Sequence, residues 1–160
     1  MLFKKNIIIA LVVIIFTASV SYAAENAILN VANKIFEESK AIKPLLEKTK
    51  DIVLMSSMWD SCIVAKTQLD AYFSMLGIFE VVKEEAARQK AIDIISSWLK
   101  VAKKTNELNM KSLTAIPKIY EPTTELHVRK LNGYFAEMNY CINNELKKLS
   151  EIKNALKVKK

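Results

Sequence analysis

Glycine occurs only twice in these 160 residues, at Gly77 and Gly133, and proline only three times. So sparse a supply of turn formers argues against β-rich architectures, and no alternating apolar run bounded by turns reads as a strand. It also excludes the glycine loops that let a backbone approach phosphate, so neither a dinucleotide fingerprint nor a Walker loop can be built. Histidine is rarer still: His127 is the one imidazole. A di-iron bundle therefore lacks its Glu-x-x-His motifs, an ordinary zinc site lacks ligands, and a serine or cysteine nucleophile has a single candidate base. Cys62 and Cys141 form no Cys-x-x-Cys pair of the redox type. The acid pairs Glu37-Glu38 and Glu84-Glu85 are adjacent, so their side chains diverge round a helix and read as solvated faces. Catalysis is not expected, and no cofactor or metal is assigned.

The N-terminus sets the expected address. Lys4 and Lys5 precede an apolar run from Ile7 to Phe16, and Ser21-Tyr22-Ala23 places small residues at the −3 and −1 positions before Ala24. This is the pattern of a secretory signal peptide over residues 1–23, which implies a periplasmic or secreted protein. The rival is an uncleaved anchor, because the weakly polar stretch through Ala24 lengthens the segment to roughly the 17 residues at the short end of a membrane span. Cleavage would remove two lysines and lower the formal charge from +7 to +5, leaving residues 24–160 as one domain with a real core. The lysine excess suits acidic partners or anionic surfaces, yet the positives are interleaved with acids. A solvated surface is the plainer reading, and nucleic acid is not expected as a partner.

What the chain has in quantity is apolar residues at helical spacing. Ile28, Val31, Ile35 and Ile42 predict a first helix from about Glu25 to Ile42. At Pro44 the chain either kinks or ends one helix and starts another. The organising helix is expected from about Pro44 to Leu76, with Ile52, Met55, Trp59, Cys62, Leu69, Phe73 and Leu76 on one face, and a tight reversal at Gly77. A third helix, about Glu80 to Leu113, carries Ala87, Ala91, Ile94, Trp98, Val101, Thr105 and Leu108 as its stripe, widened by Ile95, Leu99 and Ala102. Two prolines, Pro117 and Pro122, bound the one irregular connection. Pro122 suits the first position of a fourth helix running to about Lys157, with Leu131, Phe135, Met138, Ile142 and Leu149 in its seam.

The fold class is therefore all-α: an antiparallel bundle of three long helices plus a shorter N-terminal helix, following a signal peptide. Two cysteines in an exported protein suggest one disulfide. If the second and fourth helices begin at the same end, Cys62 and Cys141 stand at heights of about 27 and 29 Å, at about 1.5 Å per residue. Their levels agree, so a Cys62–Cys141 bridge is expected, and it would make those two helices neighbours with the first helix outside.

His127 shares a face with Leu131, Tyr134, Met138 and Cys141, and with six methionines in the chain a His/Met haem site is conceivable. No haem attachment motif accompanies it, and the plainer reading is a partly exposed histidine near a helix end. The expected function is non-catalytic binding of another envelope or extracellular protein, with Tyr120, Lys153 and Lys157 as contact residues. The alternative is a carrier of an apolar small ligand or haem between helices. Membrane contact is expected only if the N-terminal segment is retained, and the oligomeric state is left open.

Overall fold

Pro44 ends the first helix. The computed structural model describes residues 27–116 and 118–158, with only the backbone at 157 and 158. The expected signal segment lies outside these residues. Within them α1 spans residues 27–42, and a single 3-10 turn at Lys43–Leu45 takes up the proline, which has no amide hydrogen to give a continuing helix. The chain then runs without helix to Asp51. Helix α2 spans Ile52–Val81, α3 spans Glu85–Thr114 and α4 spans Pro122–Val158. Pro122 opens α4 at a position where the missing amide costs nothing.

Two expected boundaries shift. Helix α2 starts eight residues later than Pro44, because the proline opens only the short turn. It also passes straight through Gly77, which has no positive φ, and ends at Val82 in extended backbone. The apolar run Ile78-Phe79 keeps the helix going, and the reversal is made instead by Val82, Lys83 and Glu84. Arg88 of α3 lies over the Phe79 ring of α2, 4.8 Å from its centre, and ties the two sides of this turn.

Contacts between helices set the topology. Lys34 and Glu38 of α1 pair with Glu137 and Lys130 of α4. Lys66 of α2 stands 5.7 Å from the Phe36 ring centre of α1. Gln68 of α2 donates to Thr105 of α3 at 3.1 Å, and Lys103 and Asn106 of α3 donate to Asn143 and Asn139 of α4. Numbers fall on one helix as they rise on its neighbour, so the four helices run up, down, up, down.

Helix α3 packs along both α2 and α4, whereas α2 and α4 barely touch and stand on a diagonal. Helix α1 fills the remaining corner. Its Ile28, Val31, Ile35 and Ile42 are fully buried beside Met55, Met58, Cys62 and Leu69 of α2 and Leu131, Phe135, Met138 and Ile142 of α4. The core is thus a four-helix one, and α1 is not an external strut. Each fully buried Ile, Leu or Phe contributes roughly 1.5–3 kcal/mol relative to exposure, which is how a 16-residue helix holds its place.

Candidate binding face

Four features could carry function, and the buried pair of Glu38 and His127 is the most polar. Both side chains are almost wholly enclosed, and His127 Nδ1 donates to Glu38 Oε1 at 2.5 Å. Lys130 approaches the other carboxylate oxygen at 3.4 Å. The expectation of a partly exposed histidine and a solvated Glu38 is corrected here: Glu38 occupies the α1 seam between Ile35 and Ile42, and only Glu37 faces solvent, pairing with Lys40. The His127 ring is enclosed, and it lines neither part of the trough between α2 and α3, so no space for a haem is seen beside it among the described residues. Among the described residues no group of His, Cys, Asp and Glu is arranged to hold a metal ion.

Both cysteines are free thiols, which corrects the expected disulfide. The physical reason lies in the start of α2. Asp51 and Glu121 are joined across the same end of the bundle, Cys62 is 11 residues beyond Asp51, and Cys141 is 20 residues beyond Glu121. At about 1.5 Å per residue the two thiols differ in height by about 14 Å, far beyond the roughly 4.4–6.8 Å between Cα atoms that a bridge allows. The diagonal placement of α2 and α4 separates them further. Burial, with help from the nearby Glu38 charge, pushes the Cys62 thiol up to about 12. Such a thiol stays protonated at neutral pH, the opposite of what a nucleophilic cysteine requires. Cys141 is also raised, first by burial and then by Glu137, with Lys34 acting against them.

The third feature is the bundle end itself. The carboxylate of Asp51 accepts the amide hydrogens of Tyr120 and Glu121 at 3.0–3.2 Å. In return the Glu121 carboxylate accepts from the Thr49 hydroxyl at 2.7 Å and from the Lys50 amide at 3.2 Å. Tyr120 is held by its backbone while its ring is exposed, with Lys118 over it at 4.8 Å. Of the other expected contact residues, Lys153 is engaged with Asp93 of α3, and Lys157 is described in backbone only. Tyr120 lies just before the start of α4 and Lys153 near its far end, so these two are not brought together.

The fourth feature is the outer face of α2 and α3. Helix α2 carries only Asp60, Lys66, Asp70 and Glu80 as charges in 30 residues and is apolar nearly all round, a composition suited to a helix covered on every side. Here it is not covered: Val53 is 82% exposed and Val64 45%. Helix α3 carries two apolar seams. The inner one, Ile92, Ile95, Leu99 and Ala102, is buried, and the stripe expected to be core is the outer one. Ile94, Val101 and Leu108 are each more than half exposed, and Trp98 lies on the surface with its indole N–H donating to the Gln68 carbonyl at 2.9 Å.

Beside the outer seam of α3, which contributes Thr105 and Ser112 to its lining, runs a trough. One part, of about 760 Å³, is lined by Val53, Ser57, Asp60 and Val64 of α2 and by Thr105 and Asn109 of α3. A second part, of about 430 Å³, continues past Ser112 and Ile116 to Lys118 and Tyr120. Reasoning from sequence found Tyr120 but missed Val53 and Val64, although their 11-residue separation and the hydroxyls between them repeat at helical spacing. No helix of the described residues is long and apolar enough to cross a membrane. No family model, no curated protein and no solved structure matches this chain.

Proposed function

We propose that this chain is an exported, non-catalytic helical bundle that acts by binding another protein, with the outer face of α2 and α3 as its contact surface. The observation that carries the reading is the surplus apolar seam of α3. A bundle needs one seam per helix to fill its core, and Ile94, Trp98, Val101 and Leu108 lie on a second one that the core does not use. The signal-like residues 1–23 support a periplasmic or secreted location. The Cys62 thiol, which burial holds protonated, and the His127 ring, which is enclosed against Glu38, support a reading of binding.

The double variant Val64→Asp, Val101→Asp tests this reading, since both positions are exposed and tolerate charge without disturbing the core. Cross-linked complexes recovered from the exporting cell are expected to vanish while helix content and Tm stay as in the parent. Complexes that persist in the double variant would contradict the assignment of this face.

A second reading is a carrier of an apolar small molecule, favoured by trough volumes of about 430 and 760 Å³, which fall in the range of roughly 300–1,000 Å³ typical of ligand sites. It is the weaker of the two, because the trough is open to solvent and does not enclose a ligand. A small-molecule mass that accompanies the native protein and is lost on denaturation would favour it.

A further inference from the structure

We infer that the trough between α2 and α3 receives an amphipathic helix of a partner protein whose apolar seam is flanked by aspartate or glutamate. The inference rests on the protein-binding reading above and names the chemistry of the partner. Three observations carry it. The outer seam of α3 runs Ile94, Trp98, Val101, Thr105, Leu108 and Ser112, alternating steps of four and three. Across the trough α2 repeats the same steps at Val53, Ser57, Asp60 and Val64. Paired seams of this spacing are what a third helix packs into, side chains between side chains.

Lys50 and Lys118 line the trough's end, and Lys100 and Lys111 directly precede Val101 and Ser112 of the α3 seam; all four are exposed. None of them enters an ion pair among the described residues. Asp60 is the one exposed acid in the lining. A second copy of this chain would bring the same four lysines to the contact, so like charges disfavour it. The Ser57 hydroxyl and the Asn109 amide in the lining would be stripped of water by lipid chains, which disfavours a bilayer. A helix with polar side chains at its seam edges satisfies both. From Ile94 to Ser112 the seam is about 27 Å long, the length of a helix of about 18 residues.

The probe is a designed helical peptide of that length with a leucine seam and glutamate flanks, fluorescently labelled and titrated with the full chain. Its counterpart keeps the seam and carries lysine flanks. The glutamate peptide is expected to bind at least about tenfold more tightly, and the order is expected to reverse for Lys100→Glu, Lys111→Glu, whose positions are exposed. Val101→Asp is expected to weaken the glutamate peptide by about tenfold or more, with circular dichroism and Tm confirming an intact fold. Equal affinities for the two peptides, or binding to neither, would overturn the inference. So would adsorption to phosphatidylglycerol vesicles without peptide binding, or a concentration-dependent dimer abolished by Val101→Asp. If a photo-reactive residue at position 101 captures a protein in the exporting cell while neither peptide binds, the acidic-helix inference fails and the protein-binding reading stands. If nothing is captured there either, both fail.

Discussion

Asp51 and Glu121 hold the entries to each other's helices: each stands just before its own helix, and each carboxylate accepts hydrogen bonds from the segment leading into the other. This exchange explains why Asp51 makes no side-chain cap to α2, since its carboxylate is turned across the bundle end towards α4. It also fixes the relative height of α2 and α4, which run in the same direction on a diagonal. Asp51 is buried, so its loss leaves two amides unsatisfied. Asp51→Ala is expected to destabilise by about 2–3 kcal/mol, the range for charged hydrogen-bond partners. Glu121→Gln, which keeps an acceptor, is expected to cost less. A urea-denaturation double-mutant cycle checks the exchange, and additive losses would mean that the two residues act independently.

Glu38 and His127 are buried hydrogen-bond partners, and removing one leaves the other short of a partner. Glu38→Leu is expected to cost about 1–3 kcal/mol, because it leaves the His127 ring nitrogen unsatisfied inside the bundle, and His127→Leu less, because Lys130 still reaches Glu38. The pair replacement by two apolar residues is expected to recover most of that loss. Equal losses for single and double variants, measured by urea denaturation, would show that the pair is held by something other than mutual satisfaction.

Gly77 and Gly133 lie inside helices, with φ negative and open space where a Cβ would project. Alanine at either position is expected to stabilise by about 0.5–1 kcal/mol through helix propensity and a less flexible unfolded chain. The test discriminates sharply at Gly77. If the chain reversed there in a left-handed conformation, Gly77→Ala would lower Tm instead of raising it.

The two thiols are expected to differ in behaviour. Cys141, half-exposed, should react first with an alkylating reagent, and Cys62 only once the chain unfolds. The Cys62 thiol is pushed up to about 12 in the folded chain from an ordinary value of 9.0, so the folded state holds its proton longer than the unfolded state does. Its contribution is complete below pH 9 and is lost as pH rises from about 9 to 12, at up to about 1.4 kcal/mol per unit. Urea denaturation across that window should show a fall that Cys62→Ala makes shallower. An unchanged slope in the variant would refute the assignment.

Much of the bundle is legible in the residues, and the misreadings have local causes. Ile28, Val31 and Ile35 mark α1, and Pro122 with Leu131, Phe135, Met138 and Ile142 marks α4, because there one apolar seam stands against a polar remainder. Helix α3 has two seams, and spacing alone does not say which one faces inward. Pro44 suggests a helix start more strongly than Asp51, although Asp51 directly before Ile52-Val53-Leu54 is the better N-cap signal. That displacement of eight residues, about 12 Å of helix, brought Cys62 and Cys141 to a false common level. The buried Glu38 was visible only in register, at the seam position between Ile35 and Ile42.

The proposed protein-binding role of the outer face is tested most directly by placing a photo-reactive residue at Val101 in the native cell, with Leu126 on α4, also exposed, as the control position. A discrete cross-linked protein at position 101, absent at position 126 and lost when Val64→Asp is added, is the expected result. Equal cross-linking at both positions, or none at 101, would contradict a role for the α2 and α3 face in binding.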